Sequence, residues 1–220
     1  EQTRVRREML AAYRNAVKDS TRNTLRLKSW LCGQGVHLRK GQSLTSKSTK
    51  QKLLENPRWD YGQRLLIETY LEKIEQANVA RKRLNQYMAI EVSNDPAMMK
   101  LLRLYGVRTI NAFAISAIVG DISRFRTPKQ LVAYVGLQPK VTQSGNTKRT
   151  SVTIGFGRRD LRAFILQSAH AILRMGPDTH PVAKWGRQKA RQKGWNVAAV
   201  AVARKLVLAI WYLMRGFYTN

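Results

Sequence analysis

Cysteine occurs once in these 220 residues, at Cys32. A single thiol excludes an internal disulfide and the usual thiolate zinc sites, and fits a packing role in a reducing compartment. Histidine occurs three times, at scattered positions (His37, His170, His180), so no all-protein metal cluster can be read. Acidic residues are scarce: 13 Asp and Glu stand against 40 Lys and Arg. Only Asp121, Asp160 and Asp178 fall within residues 101–220. A two-metal nuclease centre needs several converging oxygen ligands, and that half offers no close pair of carboxylates. No secretory signal is read at Glu1-Gln2-Thr3-Arg4. The one long apolar run, Val197 to Met214, carries Arg204 and Lys205 at its middle. Each would cost about 2.5–3.5 kcal/mol at a bilayer centre, so the run is read as a buried core helix and no membrane partner is expected.

What is abundant is positive charge. The formal charge is +27 and the pI is near 11.1. Self-repulsion of that size weakens compact folding, and it makes physical sense beside a polyanion. Cations seated on phosphates release condensed counterions, which drives most nucleic-acid affinity. Apolar residues make up 44 % of the chain, enough for a core, so this is a folded basic protein and not a basic tail. The second half is the more cationic, with 20 basic and 3 acidic groups in residues 101–220 against 20 and 10 in residues 1–100.

The expected fold class is mainly α: a long antiparallel helical hairpin (residues 1–95), then a helical domain (residues 96–220) holding a helix-hairpin-helix and a small β-hairpin. Apolar spacings of three and four predict a helix from Gln2 to Cys32, with Val5, Met9, Ala12, Ala16, Thr24, Leu27 and Leu31 on one face. Gly33-Gln34-Gly35 ends it. Residues 35–57 read as a mobile basic loop. A second helix is predicted from Asp60 to Ile90, with Leu66, Tyr70, Ile74, Ala77, Leu84 and Met88 as its seam. Its hairpin with the first helix either closes within the chain or extends to a partner chain.

After Asn94-Asp95-Pro96, the pattern helix, Gly106 turn, helix, Gly120 is that of a helix-hairpin-helix. Its backbone N–H groups can face a phosphate, a contact that carries no sequence information. Arg108 stands where a second glycine is usual; it can hold a phosphate itself, or the turn can serve packing alone. Asp121 reads as a cap. Thr127 is placed as N-cap and Pro128 at the first position of a short helix ending at Gly136. Weak alternation around Ser144-Gly145 predicts a β-hairpin with Ser144 at or near its tip. Further helices are expected from Arg158 to Met175, from Pro181 to Lys193, and from Val197 to Arg215.

The chemistry within reach is a hydroxyl among guanidiniums. Ser144 is followed by Gly145, which permits close backbone approach to a ligand. Lys148, Arg149, Arg158, Arg159 and Arg162 follow within one hairpin's reach. A serine attacking a phosphodiester builds charge on the phosphoryl oxygens, which arginine forks stabilise. A covalent phosphoserine would conserve the bond energy for rejoining. Ser-Gly in a turn is equally ordinary turn chemistry.

Four stretches resemble a known family. Leu104-Tyr105-Gly106-Val107 with Ala117-Ile118-Val119-Gly120-Asp121-Ile122-Ser123-Arg124-Phe125 is similar to its G-V-x-x…I-G-D-x-x-R-F. Lys129-Gln130-Leu131-Val132-Ala133-Tyr134-Val135-Gly136-Leu137-Gln138-Pro139 resembles K-Q-L-x-A-Y-x-G-L-x-P. Ser144-Gly145 falls at its S-G, and Ala201-Val202-Ala203-Arg204-Lys205-Leu206 resembles its closing A-x-A-R-K-L. The family is that of insertion-sequence transposases with an N-terminal RuvC-like DEDD domain and a C-terminal serine-bearing domain (bridge-RNA-guided recombinases, Piv-type invertases). Residues 1–92 resemble its connecting coiled coil.

The resemblance implies that Ser144 is the nucleophile, with Ser151 as fallback. It implies nucleic-acid contacts from Arg108, Lys129, Lys148, Arg149, Arg158, Arg159 and Arg162, and no metal or cofactor in this chain. Mg2+ is expected in the DEDD domain, which the chain is expected to lack, beginning downstream of it. The implied partners are DNA, a guide (bridge) RNA and further copies of the chain as a dimer or tetramer, in the bacterial cytoplasm at the nucleoid. One departure is that Gly155 stands where many relatives have Lys; Arg158 or Arg159 would supply that charge. Two other readings fit the charge: a non-catalytic nucleic-acid-binding module, and a ribosomal-type RNA-binding protein. The latter gives no reason for the serine hairpin, and the scattered Trp and Tyr form no stacking platform.

Overall fold

The computed structural model describes residues 2–39, 41–144, 147–154 and 156–217, and the side chains of residues 139–155 lie outside that description. Helix dominates. Two compact units form, one from Glu8–Tyr87 and one from Glu1–Arg7 with Met88–Asn220.

The first unit is built from α2 (Lys47–Leu54) and the parts of α1 (Gln2–Gly33) and α3 (Tyr61–Asn94) within Glu8–Tyr87; the start of α1 and the end of α3 belong to the second. On α1 the buried positions are Leu10, Ala16, Leu27 and Leu31. The predicted Met9 and Val5 are displaced from the seam: Leu10 takes the buried place and Val5 is exposed. On α3 the buried residues are Ile67, Leu71 and Ile74, then Met88 and Val92. Ile74 and Met88 are buried as predicted, while the predicted Leu66 and Tyr70 sit one position off the stripe, beside the buried Ile67 and Leu71.

The expected loop at 35–57 contains α2. Ser46 caps it, its hydroxyl accepting from the Thr49 N–H at 3.4 Å, and Leu53 and Leu44 are buried. A short helix hidden among Gly, Ser and Lys carries only two buried positions, too few for periodicity to register. Asp60 and Gln63 cap α3 reciprocally: the Gln63 N–H donates to Asp60 Oδ1 at 2.7 Å and the Asp60 N–H to Gln63 Oε1 at 3.1 Å, the logic of a capping box. Trp59 closes the core formed with Leu27, Leu31, Leu44, Leu53, Ile67, Leu71 and Ile74. Its indole N–H donates to the Leu53 carbonyl at 2.8 Å. Cys32, expected to pack, is exposed.

In the second unit Asp95 caps α4 (Pro96–Leu101), accepting from the Ala97 and Met98 N–H groups. Arg6 reaches Glu91 at 3.0 Å and Asp95 at 3.4 Å. The chain then turns at Gly106 into α5 (Thr109–Val119). Gly106 has φ +82°, and a Cβ there would fall 2.6 Å from the Ser168 carbonyl oxygen, so both conformation and space demand glycine. A 3₁₀ turn, Ile122–Arg124, follows, capped by Asp121. Then come α6 (Pro128–Val135), strands β1 (Pro139–Ser144) and β2 (Thr147–Ile154), α7 (Arg159–Met175), α8 (Pro181–Lys193) and α9 (Trp195–Met214). The strands pair antiparallel, with Ser144 opposite Thr147.

The core sits around α9, which contacts α4, α6, α7 and α8. Nine of its residues are buried, from Ala198 to Leu213. It is the one described helix long and apolar enough to cross a membrane, and its burial against four helices accounts for that composition. Between α5 and α7, the buried Asn111 amide donates to the Ser168 hydroxyl at 2.5 Å, so neither polar group is orphaned.

Candidate nucleic-acid interface

The segment around Ser144 is rooted in α6. Thr127 and Gln130 form a capping box at its start, as Thr-Pro-Lys-Gln predicts, and it stops at Gly136 in the left-handed conformation. Beyond it, the Arg204 Nε on α9 donates to the Leu137 carbonyl at 2.6 Å. Where the chain returns from β2, the Arg158 N–H donates to the Tyr134 carbonyl at 2.9 Å, and Arg162 Nη1 donates to the Gly136 carbonyl at 3.1 Å. Both ends of the strand pair are thus fastened to the carbonyl end of one short helix, where unpaired carbonyls and the helix dipole favour cationic donors.

The predicted site residues fall into three groups. Arg158 and Arg162 are brought together at the C-terminal end of α6. Arg158 also grips Asp160 through two bonds, Nε to Oδ1 at 3.0 Å and Nη2 to Oδ2 at 2.7 Å. That hydrogen bonding to Asp160 raises its already high pKa, against a smaller opposing effect of burial. Lys129 and Arg159 are exposed on the first turns of α6 and α7, and Arg108 is exposed at the start of α5, with no side-chain cap bond. Ser144, Ser151, Lys148 and Arg149 have side chains outside the described residues, as does all of Gly145.

Part of the cation surplus is structural, which composition alone could not reveal. Arg7 donates to the Ala117 carbonyl at 2.8 Å at the end of α5. Arg187 donates to the Leu173 and Gly176 carbonyls at 3.2 and 2.8 Å at the end of α7. Arg215 reaches the Ser123 and Phe125 carbonyls. Arg124 lies over the rings of Phe125 and Tyr134. Arginine serves here because its fork spans two carbonyls at once.

The three acids of residues 101–220 have local partners. Asp121 accepts from the Ser123 hydroxyl and backbone N–H, Asp160 from Arg158 and Asp178 from Arg187 at 2.6 Å. Among the described residues no group of three or more His, Cys, Asp or Glu could hold a metal ion. Sequence reasoning gave Arg204 no site role, noting it only beside Lys205 within an apolar run and in the closing motif.

The geometry gives a class: a basic helical module with a serine-bearing strand pair rooted between helices, and part of the chain is similar to insertion-sequence transposases. Residues 98–184 match the family described as Transposase IS116/IS110/IS902. A probable family 20 transposase of Pseudomonas aeruginosa is 27 % identical over 150 residues, 68 % of this chain and 44 % of that protein. The transposase for insertion sequence element IS1111A of Coxiella burnetii is 34 % identical over 113 residues, 50 % of this chain and 30 % of the relative. The pilin gene-inverting protein of Moraxella lacunata is 32 % identical over 101 residues, 44 % of this chain and 30 % of the relative. The chain spans less than two thirds of the length of each of these relatives.

Proposed function

We propose that this chain is the C-terminal part of a DNA transposase or recombinase that cleaves and rejoins strands through a serine–DNA phosphoester, working with a RuvC-like DEDD domain outside these 220 residues. The observation that carries the reading is the family match over residues 98–184, whose span takes in Ser144 and its anchoring helices. In the reaction, Ser144 Oγ bonds to phosphorus as one strand O–P bond breaks, and the displaced strand end leaves as a hydroxyl bearing the proton the serine gave up. Lys148, Arg149, Arg158, Arg159 and Arg162 would offset charge on the phosphoryl oxygens. Arg158 does so only in part while Asp160 holds it. Mg2+ belongs to the DEDD domain.

In this reading Arg108 and Lys129 contact phosphates, the α4–α5 turn acts as a helix-hairpin-helix, and residues 1–95 assemble copies of the chain into a dimer or tetramer. A guide RNA is the second nucleic-acid partner, and the site of action is the bacterial nucleoid. Substituting Ser144→Ala, with the DEDD domain supplied, tests it on a denaturing gel with labelled DNA. Covalent adducts and recombination should vanish while DNA and RNA affinity stay. Full activity of that variant, with loss in Ser151→Ala, moves the nucleophile to Ser151; activity in both refutes the serine mechanism.

The second reading is a non-catalytic nucleic-acid-binding module acting as regulator or scaffold. The engagement of Asp121, Asp160 and Asp178 with local partners favours it. It is upheld if no adduct forms even with the DEDD domain present.

A further inference from the structure

α8 is the most one-sidedly basic described helix: it carries Lys184, Arg187, Lys189, Arg191 and Lys193 and no acid. Its inner side is committed. Ala183 and Gly186 are buried, and a Cβ on Gly186 would fall 2.6 Å from both Leu173 Cδ2 and Val202 Cγ2. Arg187 is spent on carbonyls and Asp178.

The other side is laid out by the helical repeat of about 3.6 residues. Gln188 and Gln192, one turn apart and both exposed, run down its middle. Lys184 and Arg191, exposed, flank this strip on one edge. Lys189 flanks it on the other, while Lys193, seven residues after the buried Gly186, falls toward the inner side at the exposed end of the helix. The side chains of Lys184 and Arg191 make no hydrogen bond, ion pair or ring contact among the described residues. The Lys189 ammonium lies 5.4 Å from the Trp185 ring and the Lys205 ammonium 4.5 Å from it.

We propose that α8 lies in the major groove of duplex DNA, with Gln188 and Gln192 toward the base edges, Lys184 and Arg191 toward the phosphates of one strand and Lys189 toward those of the other. This rests on the transposase reading and names a DNA-contacting element outside the serine segment. A helix about 10–12 Å across matches a major groove about 12 Å wide. Thirteen residues, about 20 Å long, run past roughly six base pairs. Glutamine can bond an adenine edge with both its amide groups. A membrane surface is disfavoured, because an interfacial helix needs a free apolar face and that of α8 is packed inward. Single strands are disfavoured because α8 carries one aromatic side chain, Trp185, which two lysine ammoniums already approach, and so offers no series of stacking rings. Double-stranded RNA is disfavoured because its major groove is too deep and narrow for side chains to read.

The full chain is titrated with duplex DNA, duplex RNA, single-stranded DNA and anionic phosphatidylserine vesicles over a salt series. The double variant Lys184→Ala with Arg191→Ala should lower the duplex-DNA slope of log K against log salt by about 1.8, and Lys189→Ala should lower it by about 0.9. Gln188→Ala with Gln192→Ala should keep that slope and flatten the sequence preference recovered by binding-site selection. A photo-crosslinking side chain at Gln192 should capture duplex DNA. Unchanged slopes in both cation variants with no crosslink overturn the proposal, as does an equal slope loss on duplex RNA, single strands or vesicles. If the unsubstituted chain binds no DNA at all, the transposase reading itself fails; if it binds and only these variants are silent, the α8 assignment alone is lost.

Discussion

Gly157 lies directly against Gly136: a Cβ on Gly157 would come within 2.5 Å of both the Cα and the N of Gly136, and 2.9 Å of the Tyr134 carbonyl oxygen. Backbone meets backbone here, so no side-chain rotation can relieve a clash. The returning chain after β2 is thereby set against the end of α6, next to the Arg158 N–H to Tyr134 bond. Gly157→Ala is expected to lose about 1–3 kcal/mol, the range for overpacking, at about 2–4 °C of melting temperature per kcal/mol for a domain of this size. Thermal unfolding followed by circular dichroism checks it. A melting curve identical to that of the unsubstituted protein means the segment shifts freely and is not rooted there.

That contact also shows where sequence reading stops. The helices of residues 96–220 were legible because each announces itself locally: Thr127-Pro128 opens α6, Pro181 opens α8, and α9 is apolar nearly all round. The Gly157–Gly136 approach joins residues 21 positions apart and leaves no periodic trace. α2 stayed hidden because Ser46, Leu53 and a run of Lys and Thr look like loop composition. At Leu66 and Tyr70 the α3 seam was read one residue early, though Ile74 and Met88 were read correctly, since both Leu66 and Ile67, and both Tyr70 and Leu71, are apolar; only packing chooses between them. Charge could not separate cations that tie down carbonyls, such as Arg7, Arg187 and Arg204, from cations left exposed.

Asp121 provides a pH readout of one local joint. The Ser123 hydroxyl, first, and the Ser123 backbone N–H, second, hold its carboxyl below the usual value of 3.8, with Arg215 and Arg124 adding smaller pulls. A depressed carboxylate contributes to stability above its unfolded pKa, and that contribution fades as pH falls through the folded value. Ser123→Ala removes the largest cause and should move the Asp121 midpoint up toward 3.8, read by carbon-detected NMR titration of the side chain. An unmoved midpoint shows that the backbone N–H and the arginines suffice.

Arg204 links the buried core to the proposed reaction segment. Its guanidinium emerges from a helix whose neighbours Val202, Ala203, Leu206 and Val207 are buried, and donates to the carbonyl of Leu137, itself buried and two residues before β1. Arg204→Met keeps the apolar stem but orphans that carbonyl, which costs about 1–3 kcal/mol for a buried unsatisfied group. Urea unfolding should show a lowered midpoint with unchanged slope, since the surface exposed on unfolding is the same. If the strand pair carries the nucleophile, the same variant should slow adduct formation at a urea concentration where it is still folded, while leaving DNA affinity near that of the parent chain. Parental adduct formation in a destabilised Arg204→Met separates the two roles: the bond then holds the fold and does not aim the serine.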